Sequence, residues 1–429
     1  MISLAPTFNA IARYFSFSNY ASSAQSIDLP SVPIHEVETA PEKRPRTLKH
    51  LIKANHINHS IMYNELSFHN HMTHILGSAY ILEASVDQLQ KIYDVESKEL
   101  EEWQESPGEI TEQDWRKHLG DRHYVRAYLD FFEDELALKF NYDWKAVVEH
   151  YLLGGKEPLI NGVVGGREYL SMSAKSALLT GDSVGHPLIH LGYAYELNNK
   201  EIAMEALALA ATNRNFLHKY VDNICTTPIS TYSTTFPLEI LHKIHSDARF
   251  ENLFTSRGST NIEPLFRTHE SAVLEHWNAW TITNPIKQFQ DTQEAALALL
   301  TRTVRPGTHS YDFFIVHLLT TSHSIRILLP SLPKKFHIPI VRQWWLLVIA
   351  VYIAQLRPKI DEELEEKPKQ NWKYVEDKAL NGEYAVDAHY VKALRAIQVM
   401  AFTWGDVHER YLAAAVQFAD DFHGWAGFD

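Results

Sequence analysis

Apolar residues recur at helical spacing along nearly the whole chain, and no other sequence feature restricts the fold as strongly. Within 67–83 they stand at positions 68, 72, 75, 76, 79, 80 and 82, the rhythm of a helix that buries one stripe. Segments 124–140 and 142–153 repeat the pattern, with Gly154-Gly155 as a C-terminal stop. Thr111 followed by Asp114 is a capping-box-like start. Segments 187–197 and 201–220 read as a helical hairpin across Asn198-Asn199, and 47–62 as the first long helical stretch. Further helices are expected over 237–245, 292–303, 312–328, 338–356, 387–403 and 406–422. Alternating, β-branched strand patterns are scarce, and the Thr/Ser-rich stretches 223–234 and 254–262 do not alternate.

The expected fold class is therefore all-α: a single large multi-helix domain with a buried His-rich site. Residues 1–45, with Pro30, Pro33, Pro41 and Pro45, read as an extended, weakly ordered lead-in to a helical domain over 46–429. The Glu- and Lys-rich stretch 358–373 reads as an exposed loop inside that domain. No internal repeat of solenoid length is present.

Charge and cysteine content exclude several functions. Forty basic against 53 acidic side chains leave a net charge of −13, so nucleic acid and anionic membrane surfaces, which need a basic face, are not expected partners. Cys225 is the single cysteine, which rules out a disulfide framework and Cys-based zinc motifs and fits a reducing, cytoplasmic setting. The most apolar run, 344–354, has 11 residues; that is too short to span a bilayer and suits a buried helix.

Common cofactor signatures are missing. The stretch 162–166, Gly-Val-Val-Gly-Gly, is not GxGxxG, and there is no phosphate loop, HExxH helix or GxSxG elbow. Glu-x-x-His occurs once, at Glu239 and His242, where a ferritin-like di-iron bundle needs two. Chemistry is therefore sought among the 24 histidines.

Four places put His in helical register with another His or with a partner. His71 and His74 lie three apart and face the same way; His186 and His190 lie four apart, with Pro187 in the first helical turn; His317 stands alone in an apolar stretch; His389 and Lys392 share a face near Asp387. Neutral imidazole is the commonest ligand for Fe, Zn, Cu and Ni, and buried imidazoles otherwise each need a hydrogen-bond partner. Plainer readings stand beside this one. His69 reads as a capping or surface residue, while His56, His59, His242 and His245 read as surface. His186 also suits a helix cap, His317 a satisfied core position, and Lys392 a snorkelling one. Trp277, Trp280, Trp344 and Trp345 read as core or pocket wall.

The blocks Phe68-His-Asn-His-x-x-His, Gly185-His-Pro-Leu-Ile-His-Leu-Gly-Tyr-Ala-Tyr-Glu, Asp312-Phe-Phe-x-x-His and Asp387-x-His-x-x-Lys resemble, in order, those of the questin oxidase-like family. These are fungal and bacterial enzymes of polyketide biosynthesis, and the resemblance covers about residues 50–405. It implies oxidative ring opening of an anthraquinone to a benzophenone, as from questin to desmethylsulochrin. It also implies a mononuclear non-haem Fe(II) with O2 as co-substrate, NADPH as a possible reductant, and a planar aromatic polyketide as the small-molecule partner. On the resemblance, His71, His74, His186, His190 and His389 form the ligand pool together with Lys392, carboxylated by CO2 to supply an anionic oxygen. His317 falls in the pocket as a proton-transfer residue, and Tyr193 is a candidate to stack on the rings.

Other readings stay open. One is an NADPH- or flavin-dependent Baeyer–Villiger-type monooxygenase; another is a non-catalytic helical scaffold; a third is a hydrolytic zinc enzyme, since imidazole does not choose between Zn and Fe.

Overall fold

In the computed structural model, residues 26–154, 185–217, 220, 230–304, 308–361 and 367–427 are described. The expectations placed on residues 1–25, 162–166 and Cys225 lie outside them.

The described residues form fifteen α-helices: α1 (Lys43–Asn58), α2 (Met72–Ile81), α3 (Val86–Glu96), α4 (Val125–Leu138), α5 (Trp144–Val148), α6 (His186–Glu196), α7 (Lys200–Thr212), α8 (Pro237–His245), α9 (Ile262–Asn278), α10 (Pro285–Thr301), α11 (Phe313–Leu328), α12 (His337–Ala354), α13 (Trp372–Asn381), α14 (Ala388–Trp404) and α15 (Arg410–Asp421). Two ribbons complete them. β1 (Met62–Tyr63) pairs antiparallel with β2 (Phe68–His69), and β3 (Tyr311–Asp312) pairs parallel with β4 (Trp425–Ala426). The all-α class expected from the sequence is the class observed.

Several boundaries differ, each for a local reason. The 67–83 segment is not one helix. Asn64, Glu65 and Leu66 take positive φ and turn the chain back, so Phe68 and His69 pair as a strand. Asn70 then accepts the Met72 amide through Oδ1 at 2.9 Å, and the helix starts only there. Segment 142–153 is the short α5 followed by a π turn over Glu149–Leu153. Asp114 does not open an α-helix. Its Oδ1 accepts from the amide and hydroxyl of Thr111 and closes a loop before a 3₁₀ turn. Helices α3, α9 and α13 are absent from the sequence reading, and α13 begins inside the expected loop. The apolar 344–354 run belongs to the longer α12. The windows Phe313–Ser331 and Lys334–Ala354 are long and apolar enough to cross a membrane, yet 89% and 78% of them are buried inside the protein.

Four helices build the interior that receives the histidines. α2 packs on α6, α6 on α11, α11 on α14, and α14 back on α2, so they enclose a common space. α11 is buried at every position from Phe314 to Leu328. It tolerates this because Thr320, Ser322 and Ser324 return their hydroxyls to carbonyls three or four residues back. Close approach of α6 to α11 requires glycine. Gly185 has φ +77°, and a Cβ there would sit 2.0 Å from Thr321 Oγ1; at Gly192 a Cβ would sit 2.9 Å from Ser324 Cβ. A buried ion pair between Arg395 of α14 and Glu196 of α6 ties the opposite sides of the ring.

Candidate metal centre

Each wall of this ring delivers a histidine at a helix start or along a buried face. His71 is the N-cap residue of α2, and His186 is the first residue of α6, after Gly185 as N-cap. His186 is thus one position inside the helix instead of capping it. His389 follows Asp387, whose Oδ1 accepts the His389 and Tyr390 amides at 2.8 and 2.9 Å and so fixes the start of α14. The other Asp387 oxygen accepts the Trp425 indole N–H at 2.8 Å, and the Trp425 ring lies beside His389. His317 lies one turn into α11.

One ring nitrogen from each of His71, His186, His317 and His389 lies within 4.8 Å of the other three. The Nε2 atoms of His71 and His186 are 2.9 Å apart, and those of His389 and His317 are 3.1 Å apart. Neighbouring ligands with bonds of about 2.1 Å stand about 3 Å apart, and opposite ones about 4.2 Å. The two close pairs match neighbouring ligands, and the group as a whole could hold one ion. Hydrogen bonding sets the tautomer of one donor: His317 Nδ1–H donates to the Phe313 carbonyl at 2.7 Å, leaving its Nε2 lone pair to face inward.

The electrostatics agree. Burial, and next the cationic Lys392 nearby, hold His71 and His389 well below the usual imidazole range and bring His317 down to about 3. Burial does the same for His186, helped by its imidazole neighbours. All four are neutral, the form that ligates. Lys392 is 1% exposed, and its Nζ has no hydrogen-bond partner among the described residues. Burial pushes this amine down to about 7, against the opposing pull of Asp387. An unsatisfied buried amine beside four neutral donors is costly as it stands and fits a site completed by a cation and an anionic ligand. The donor set therefore suits a divalent transition metal; imidazole alone does not choose which.

His74 and His190 lie outside this set. His74 Nε2 is 2.9 Å from His190 Nδ1, and His190 Nε2 is 2.7 Å from Glu205 Oε2. They line the wall behind His71 and His186. His317, placed in the pocket by the resemblance, stands among the four. Tyr193 is buried, stacked on His74, and its hydroxyl is 2.5 Å from Ser78 Oγ.

Two surface assignments are corrected. His69 is 1% exposed and stacks on His186 with centroids 4.0 Å apart, because the β1–β2 ribbon folds it inward. His56 is buried between Glu205 and Glu133, because the α1 face that looks polar in sequence packs on α7. Glu205 itself escaped the sequence reading, although a lone acid within the Ala- and Leu-rich 202–211 stretch was a signal. A cavity of about 490 Å³ lined by Arg257, Asp312 and Gln355 is separate, since no histidine borders it.

The sequence pattern of the questin oxidase-like family matches residues 68–397, a span that holds all four histidines and Lys392. The chain belongs to the questin oxidase-like family. It is 29% identical over 206 residues to Baeyer-Villiger monooxygenase dmxR6 of Cryptosporiopsis sp., covering 46% of this chain and 41% of that protein. To the questin oxidase of Aspergillus terreus it is 25% identical over 185 residues, 42% of this chain and 38% of the relative. Baeyer-Villiger monooxygenase AacuH of Aspergillus aculeatus aligns over 350 residues at 23% identity, 72% of this chain and 68% of the relative. In the first two pairs the alignment spans about two fifths of the relative's length.

Proposed function

We propose that this questin oxidase-like protein is an oxygenase that opens the ring of an anthraquinone to give a benzophenone, using a mononuclear non-haem iron. The observation that carries the reading is the convergence of His71, His186, His317 and His389, all four under the electrostatic influence of the buried, unpartnered Lys392 amine. These four would hold the metal. Lys392, carboxylated by CO2, would add the oxygen anion that an all-imidazole set lacks. Iron bound there supplies one-electron chemistry with O2. The chain supplies the rest: buried helices exclude water, aromatic walls such as Trp425 and Phe313 flank His389, and neutral imidazoles accept phenolic protons. NADPH is the proposed external reductant, and O2 the co-substrate.

The relatives named Baeyer-Villiger monooxygenases favour a second reading, a reaction of that type; in it NADPH or a flavin would supply the electrons. Among the described residues the β structure amounts to two short ribbons, which supports looking elsewhere than a doubly wound nucleotide-binding sheet. Metal analysis and the visible spectrum of purified protein separate the two. The iron reading expects about one iron per chain, no flavin absorbance, and O2 uptake with a hydroxylated anthraquinone that needs the iron. Bound flavin without metal would replace it.

A further inference from the structure

We propose that His74, His190, Glu205, His56 and Glu133 form a proton path joining the histidine-lined centre to solvent. Five side chains from five helices (α2, α6, α7, α1 and α4) meet end to end. His74 Nε2 lies 2.9 Å from His190 Nδ1 and His190 Nε2 lies 2.7 Å from Glu205 Oε2. Glu205 Oε1 lies 2.8 Å from His56 Nδ1, and His56 Nε2 lies 2.7 Å from Glu133 Oε1. The inner members are closed off, with His74 at 0%, His190 at 2% and Glu205 at 1% exposure. Glu133 is the outlet, its side chain 38% exposed.

The direction of every hydrogen bond is set by the two ends. Carboxylates only accept, so both His56 N–H groups donate and the ring is a cation; His190 donates through Nε2. His190 Nδ1 is then an acceptor and takes the Nε2–H of His74. That leaves a lone pair on His74 Nδ1, which is buried with no hydrogen-bond partner among the described residues. This atom is the inner terminus, on a ring beside His71 and His186.

The path rests on the oxygenase reading for its substrate. In an outward pass the phenolic O–H of the substrate breaks and an N–H forms at His74 Nδ1. Its Nε2 proton moves to His190 Nδ1, the His190 Nε2 proton to Glu205 Oε2, and the His56 Nε2 proton to Glu133, which loses it to water. No electrons move. Three hydrogen bonds survive, the two inner ones with reversed polarity, while the His56–Glu133 contact gives up its proton until the return pass; the charges on His56 and Glu205 vanish together, so neither stays buried alone. An inward pass later in the cycle, delivering a proton to a newly formed oxygen, restores the start. A purely structural ion pair needs neither the second imidazole pair nor the exposed carboxylate at its end.

The test uses the full-length protein and Glu133→Gln, which keeps an acceptor for His56 but cannot carry a proton. Exchange of the His56 and His190 ring N–H protons with solvent, read by ¹⁵N NMR, is expected to slow by about tenfold or more. Turnover is expected to fall with a larger solvent deuterium isotope effect, and added free imidazole to restore it in part. Wild-type exchange rates in Glu133→Gln overturn the path. So does a His56→Gln variant that folds and turns over with an unchanged isotope effect. Exchange is read without turnover, so a wild-type protein inactive toward O2 would refute the oxygenase reading and leave the path decided by exchange alone.

Discussion

His190 Nε2 donates to Glu205 Oε2 at 2.7 Å, and this one hydrogen bond sets His190 apart from the four histidines that could hold a metal. A nitrogen engaged with a carboxylate has no lone pair to give. The partner nitrogen, Nδ1, is in turn taken up by His74.

The division predicts two classes of variant. Alanine at His71, His186, His317 or His389 is expected to remove most of the bound metal, measured by elemental analysis of purified protein. Alanine at His190 is expected to keep the metal and to lower turnover by about tenfold or more, because it interrupts the chain from His74 to Glu205. Metal loss in the His190 variant with retention in the His317 variant would reverse the assignment.

Lys392 predicts a dependence on CO2 and pH. Only the neutral amine reacts with CO2, and burial brings this amine down to about 7, so the reactive fraction grows as pH rises through that value. Metal loading in bicarbonate is expected to increase from pH 6 to pH 8, with a carbamate signal in ¹³C NMR of metal-free protein supplied with ¹³CO2. Lys392→Ala is expected to lose both. Equal loading with and without CO2 would remove the carbamate from the account.

The pair His56–Glu205 predicts how stability varies with pH. Burial alone would lower His56; its two carboxylates reverse that and hold it up to about 10, above its ordinary 6.5. Its contribution is complete below 6.5 and is lost as pH climbs through 10. Burial alone would raise Glu205, but His190 and His56 bring it down to about 2 from 4.5, so its contribution is complete above 4.5 and is lost toward 2. The stability gap between wild type and Glu205→Gln is therefore expected to be widest between pH 4.5 and 6.5. A gap of about 3–5 kcal/mol is expected there by urea denaturation, the usual cost of breaking a buried pair. A gap that is constant from pH 4 to pH 10 would contradict the charge assignment.

Asp387 predicts a local loss. Alanine there deletes the α14 cap and the Trp425 bond, at about 1–2 kcal/mol for the cap. Because α14 carries His389 and Lys392, metal affinity is expected to fall with thermal stability; unchanged affinity would show that the cap does not position the site.

Much of this was legible in the sequence, and the reasons for the rest are physical. His71, His186 and His389 were readable because helix spacing is a local property, and the helical class came from the same period. His317 was visible as the lone His of an apolar stretch, but its place among the four was not, since one residue on an apolar helix does not say which helix faces it. His69 was misread because its burial depends on the β1–β2 turn, and His56 because Glu205, its partner, is 149 positions away. Helices α3 and α13 were overlooked because each buries only two residues, too narrow a stripe for periodicity to reveal.

The central claim is that one metal is held by four histidines from four helices. Anomalous diffraction at the iron edge, on crystals of protein purified without chelator, tests it directly. The account predicts a single peak within about 2.0–2.3 Å of a ring nitrogen of His71, His186, His317 and His389, with density extending from Lys392 Nζ toward it. A peak ligated instead by His74 or His190, or no peak in active protein, would contradict it.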